Sequence, residues 1–178
     1  MTIPNIKSNL LIWLICLIIL PIHSALAQTN DTPPVADILG WVEPVYVMPL
    51  KQKIEAKIDS GADHSSLHAT DIELIDRQQK TWVRFRSLNR QTVTLPLLRY
   101  ASIKRKDSTL EKRPVVQLTI CLNRRILNVE TNLVDRGHFK YPMLIGRSAL
   151  ANGVLIDPNR TGLTQPQCAI KTPSTQVN

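Results

Sequence analysis

Asp59 stands at the end of an alternating stretch, Ile54-Glu55-Ala56-Lys57-Ile58, in which Ile54, Ala56 and Ile58 share one face, and Ser60-Gly61-Ala62 follow at once. An acid at the end of an apolar strand sits at the rim of a core, where an unpartnered charge is costly. Gly61 allows a tight turn that brings main-chain N–H groups to the carboxylate, and the Ser60 hydroxyl can hydrogen-bond across the loop. A carboxylate held in this way suits general acid–base work on water or a carbonyl. Asp-Ser-Gly alone is ordinary turn chemistry; the strand in front of it makes the acid a positioned one. A second segment, Tyr141-Pro142-Met143-Leu144-Ile145-Gly146-Arg147, runs from an apolar triplet into Gly146 and then into a short helical pattern. A strand that passes close behind another loop needs glycine at the crossing, because any Cβ would clash.

Other chemistries fit less well. His64 and His68 are spaced i, i+4, which on a helix puts both imidazoles on one side, but Ser65-Ser66-Leu67 between them contains no Glu to act as base. A zinc peptidase normally wants His-Glu-x-x-His, and nothing fixes His138 nearby as a third ligand, so no metal site is expected. His68 reads instead as a hydrogen-bonding residue under the active-site loop. Asp63, His64 and Ser65 are adjacent and cannot converge as a hydrolase triad. No Gly-rich phosphate loop is present, and no cofactor is expected.

The elements that must hold Asp59 are short and strand-like. Alternation marks Val45 to Val47, Ile54 to Ile58, Trp82 to Arg86, Gln91 to Leu98, Val115 to Leu122 and Ile126 to Val134. Helical spacing is confined to Ser66–Ile75 and a turn or two around Arg147–Asn152. Many short strands with one or two short helices predict an all-β fold, a closed barrel. Arg99 to Arg113 reads as a basic hairpin with Asp107-Ser108 at its turn. It is either a solvated hairpin or a flap that docks an acidic ligand, with Arg105, Lys112 and Arg113 as the substrate-binding side chains.

Together, the Asp59 loop and the Gly146 segment resemble the retropepsin pattern of aspartic peptidases. The match extends to a bacterial family of retropepsin-like aspartic endopeptidases, formerly described as ATP-dependent zinc proteases. It spans about Gly40 to Leu163 and includes Gly40-Trp41-Val42-Glu43, Lys57 to Ala62, Ser66-Leu67-His68-Ala69, Trp82-Val83-Arg84-Phe85, Glu111 to Val116, Val134-Asp135-Arg136, Met143 to Arg147 and Ile156-Asp157-Pro158. The resemblance implies a retropepsin-like barrel in which Asp59 is catalytic and Ser60, Gly61, Ala62, Ile145, Gly146 and Arg147 support its loop. Two features depart from the family pattern. Ser60 replaces the commoner Thr and keeps its hydroxyl. Asp63-His64 stands where the family has Arg-Thr, placing a second acid beside Asp59 that would disfavour its charge or alter substrate choice.

Aspartic peptidases use two carboxylates that share one proton around a water. This chain has one such loop and no internal repeat, so the resemblance implies a homodimer that brings two Asp59 side chains together. Because relatives are associated with glutamate ligases, an acidic or glutamylated peptide is the expected substrate. The rival reading is a non-catalytic periplasmic binding module that uses the same barrel to hold an acidic partner.

Composition sets the remaining bounds. Lys7, the apolar run Leu10 to Leu20, Pro21 and Ala25-Leu26-Ala27 read as a cleaved export signal over residues 1–27, with no stable membrane insertion afterwards, the alternative being an uncleaved N-terminal anchor. Export places the protein in the periplasm and leaves 151 of the 178 residues, enough for one domain. The expected organisation is a linker over 28–38, the domain over 39–164 and a tail over 165–178. The signal contains one Lys and no acid, so the net charge falls from +8 to +7 on its removal. That charge favours acidic partners, and export makes nucleic acid an unsuitable one. Cys121 and Cys168 remain, either as a disulfide tying the tail to the body or as two free thiols.

Overall fold

A computed structural model describes residues 36–104, 108–151 and 153–169. The signal expected over 1–27, most of the linker, Arg105 and the end of the tail lie outside the described residues. The fold is all-β. The strands are β1 (Asp37–Gly40), β2 (Val42–Val47), β3 (Gln52–Asp59), β4 (Ser65–His68), β5 (Thr70–Arg77), β6 (Lys80–Arg86), β7 (Thr92–Pro96), β8 (Arg99–Lys104), β9 (Leu110–Leu122), β10 (Arg125–Val134), β11 (Met143–Gly146) and β12 (Val154–Asp157). One helical turn, α1 (Arg147–Leu150), follows β11 directly.

The main sheet runs β10-β4-β11-β3-β2-β9-β8, and β9 also pairs with β10. The hydrogen bonding therefore returns on itself through six strands, a ring compatible with the expected barrel, and β8 extends it along the free part of β9. Alternating side chains fill the inside: Ile54, Ala56 and Ile58 from β3, Leu118 and Ile120 from β9, Val129 and Leu133 from β10, and Met143 and Ile145 from β11 all belong to one buried core. The meander β5-β6-β7 adds Val83, Phe85 and Val93 to the same core.

The pattern over Ser66–Ile75 is not a helix but the strands β4 and β5. Leu67 and Ala69 alternate on odd positions, and the chain then bulges at Asp71, which has a φ of 49° and lies within the register shift between Thr70 and Glu73. Past the bulge, Ile72 and Leu74 take up even positions. A bulge inserts one residue and switches the phase of a period of two; summed across it, the apolar spacing mimics a helical one. The helical reading after Gly146 holds for α1, and the hairpin read from Arg99 to Arg113 is the β8–β9 pairing, in which Lys104 faces Leu110 and Ala101 faces Arg113.

The C-terminal segment is bound into the body. Cys121 and Cys168 form a disulfide, and the Gln167 N–H donates to the Asn123 carbonyl at 2.6 Å. Further back, Glu43 is fully buried and accepts from the main-chain N–H groups of Gly40 (2.5 Å), Leu163 (3.0 Å) and Thr164 (2.9 Å) and from the Thr164 hydroxyl (2.8 Å). A carboxylate can be buried when donors satisfy its lone pairs in this way. One acid on β2 thereby anchors a strap 120 residues further along the chain.

Candidate active site

β3 and β11 lie side by side in parallel, with Ile58 opposite Ile145 and Asp59 opposite Gly146. The two sequence segments that drew attention are thus one structural unit. β11 is held on its other side by β4, with Met143 opposite Leu67. The close crossing at Gly146 is real. A Cβ there would stand 2.7 Å from both the carbonyl carbon and oxygen of His64, and 2.9 Å from the Ala62 oxygen. All three atoms are backbone and have no easy way to yield. The Gly146 N–H donates to the buried Ser65 hydroxyl oxygen at 3.1 Å.

The loop after Asp59 is clamped from α1. The Arg147 N–H donates to Ala62 O at 2.8 Å, and the Ser148 N–H donates to Asp63 O at 3.1 Å. The Arg147 guanidinium donates to Ser60 O at 2.8 Å and pairs with the Asp63 carboxylate. Asp63, the second acid expected to disturb Asp59, is therefore engaged by Arg147 and helps fix the loop. Asp59 itself is partly exposed. Its Oδ1 accepts from the Gly61 N–H at 3.0 Å, and its Oδ2 faces the Lys57 ammonium at 3.2 Å. Gly61 does not need a left-handed φ; it contributes its N–H and its lack of a side chain, since a Cβ would lie 3.2 Å from Asp59 Oδ1. Ser60 is exposed and joins the loop through its carbonyl.

A cleft of about 630 Å³ opens between this loop, represented by Ala62, Asp63 and His64, and strand β8. Of the three basic residues expected to meet substrate, Arg113 lines the cleft, Lys112 is exposed and does not, and Arg105 lies outside the described residues. Two cleft residues carry chemistry that the sequence reading did not single out, Arg136 and Asn132. The signal was present: Thr131 and Asn132 interrupt an apolar strand, and both are buried. They pair with Ser65 and Ser66 of β4, which are also buried and polar. Burial, first, and the nearby Arg113 charge, second, lower the Arg136 pKa below its usual range, while the Asp59 charge opposes the shift.

The histidine pair loses its helical geometry. His64 stands just before β4 and His68 ends it; four residues of extended chain span roughly 13 Å, so the one-turn approach that a helix would give the two imidazoles is absent. His68 sits under the chain leading from β10: its Nδ1 accepts from the Arg136 N–H at 3.0 Å, and the Asp135 carboxylate lies 3.4 Å away.

The family model for RimB-like proteins, described as retropepsin-like aspartic endopeptidase RimB, matches residues 38–167. The chain belongs to this family. Among solved structures, a Legionella pneumophila protein of unknown function superposes with a TM-score of 0.63 at 30% identity, over 72% of this chain and 98% of that one. Curated relatives include a probable alpha-L-glutamate ligase from Desulfotalea psychrophila, 33% identical over 59% of this chain and 24% of its own length. A protein of the same description from Shewanella halifaxensis is 36% identical over 61% of this chain and 25% of its own. The chain thus spans about a quarter of the length of the curated relatives it matches.

Proposed function

We propose that this RimB-like chain is an exported aspartic endopeptidase that acts in the periplasm as a homodimer, with a water held between the Asp59 carboxylates of two copies. The observation that carries the reading is the partly exposed Asp59 carboxylate on a loop braced by Gly146 behind it and Arg147 across it. One carboxylate takes a proton from the water, which attacks the scissile carbonyl carbon. The other, protonated, donates to the carbonyl oxygen, and the leaving nitrogen receives a proton as the C–N bond breaks. Two carboxylates this close cannot both ionise, so they titrate as a pair. One chain supplies a single such loop, which is why a second copy is required. The exposed Ser60 suits contact with the partner loop. Relatives named as glutamate ligases make a glutamyl peptide or protein a fitting substrate.

The test compares wild type with Asp59→Asn on a peptide library, with a pepstatin-like inhibitor and with a chelator. Wild type is expected to cleave, to be inhibited by the pepstatin-like compound and to ignore the chelator. Asp59→Asn should lose at least about a hundredfold in kcat/KM. Full activity in Asp59→Asn, or loss of activity with chelator alone, would sink the proposal. A folded monomer that binds acidic peptide without cleaving it would support the binding-module reading instead.

A further inference from the structure

His68 ends β4 on a main chain that is held from two sides. Its N–H donates to Pro142 O at 2.8 Å, and its carbonyl accepts from the Ser87 hydroxyl at 2.9 Å. The imidazole therefore stands on a fixed support. Its Nδ1 accepts from the Arg136 N–H at 3.0 Å, so that nitrogen carries a lone pair and the ring proton sits on Nε2. Asp135 Oδ1 lies 3.4 Å from the same nitrogen and is kept there by the Gly137 N–H, which donates to it at 2.7 Å. One nitrogen thus faces a donor and an acceptor together, and it can serve only one of them.

A second ring proton reverses the part Nδ1 plays. The nitrogen becomes a donor, its partner becomes Asp135, and the Arg136 N–H is left facing another N–H. An unpaired donor is costly. Because the imidazole is fixed, the adjustment falls on the turn from Asp135 to Phe139, in which the Phe139 N–H donates to Arg136 O at 2.8 Å. Arg136 and Phe139 line two cavities at once. One is a pocket of about 280 Å³ shared with His68, and the other is the cleft of about 630 Å³ beside the Asp59 loop. A change at Nδ1 reaches the cleft wall through this one turn.

The charged neighbours of the imidazole are Asp135, Arg136 and Lys140, all from the connection between β10 and β11. Leu88, after β6, and Pro142 close its pocket as uncharged groups. His138 is exposed on the same turn. Arg136 in turn feels the charges of Arg113 on β9 and Asp59 on β3. Imidazole is the side chain that ordinarily changes charge between about pH 5 and about pH 8.

We propose that His68 is a pH-dependent positioning residue: neutral, it holds the Arg136 N–H and with it the cleft wall; protonated, it turns to Asp135 and lets that wall loosen. The effect of the wall on turnover rests on the peptidase reading; the exchange of partners at Nδ1 does not.

The exchange is read from the hydrogen-exchange protection of the Arg136 amide in the full-length protein, by NMR at about pH 8 and about pH 5. Relative to amides in the paired core of β9 and β10, the protection is expected to fall at least about tenfold at the lower pH, the loss of one hydrogen bond. In His68→Asn the amide oxygen replaces the Nδ1 acceptor and does not titrate, so protection should be the same at both pH values. The wild-type response should survive His138→Asn. If His68→Asn does not fold, wild type against His138→Asn carries the test. Constant protection in wild type, an unaltered response in His68→Asn, or its loss in His138→Asn overturns the proposal. In peptide cleavage, kcat/KM of wild type should drop about tenfold below that of His68→Asn at the lower pH and match it at the higher; identical profiles overturn the coupling to the cleft. A pH-dependent Arg136 amide in a protein that cleaves nothing removes the peptidase and keeps the partner exchange. A constant amide in an active protein removes the exchange and keeps the peptidase.

Discussion

At the scale of single residues, Gly146 and Arg147 do different work for the same loop. Gly146 is a matter of space: Gly146→Ala puts a Cβ 2.7 Å from backbone atoms of His64. It is expected to cost about 2–3 kcal/mol through forced displacement of β11 or the loop, read as a drop in the urea midpoint with an unchanged m-value. Arg147 is a matter of orientation. Its pairing with Asp63 is largely exposed, and exposed ion pairs contribute less than about 1 kcal/mol. Arg147→Met should therefore barely move the melting temperature while lowering kcat/KM by about tenfold or more through a looser loop. Equal loss of stability and activity would show that Arg147 acts through folding alone. The turn Asp59-Ser60-Gly61 at the end of β3 was legible because the residue types that form it are neighbours in the chain. The pairing of Asp63 with Arg147 was not, since 84 residues separate the two.

At the scale of elements, alternation identified most strands and misread one region. The bulge at Asp71 joins two period-two patterns out of phase, and no local count separates that from a helix. The C-terminal strap is the element most open to test. Cys168→Ser removes a crosslink between residues 47 apart and is expected to lower stability by about 2–4 kcal/mol. Glu43→Gln replaces an oxygen with an amide N–H₂ amid four donors and should cost about 3 kcal/mol or more. Both are checked by denaturant unfolding under oxidising conditions. If the strap is one cooperative unit with the body, each variant shifts the whole transition; a separate early transition in either would show the strap unfolding alone.

At the scale of the whole molecule, the proposed chemistry requires two copies, so specific activity should rise with protein concentration until the dimer is saturated, and sedimentation should show twice the chain mass over the same range. Full activity in a species of single-chain mass would contradict the two-carboxylate arrangement. By itself, the sequence determined the β character, the Asp59 loop and the need for glycine at position 146, because alternation, turn chemistry and close crossing are written in neighbouring residues. Only the tertiary structure decided that Asp59 lies opposite Gly146, that Asp63 is engaged by Arg147, and that Arg113, Asn132 and Arg136 line one cleft. These juxtapositions come from a parallel β3–β11 pairing and a β4–β10 pairing between segments far apart in the chain. Local composition is blind to them because strand register is set by which faces bury together, a property of the assembled sheet.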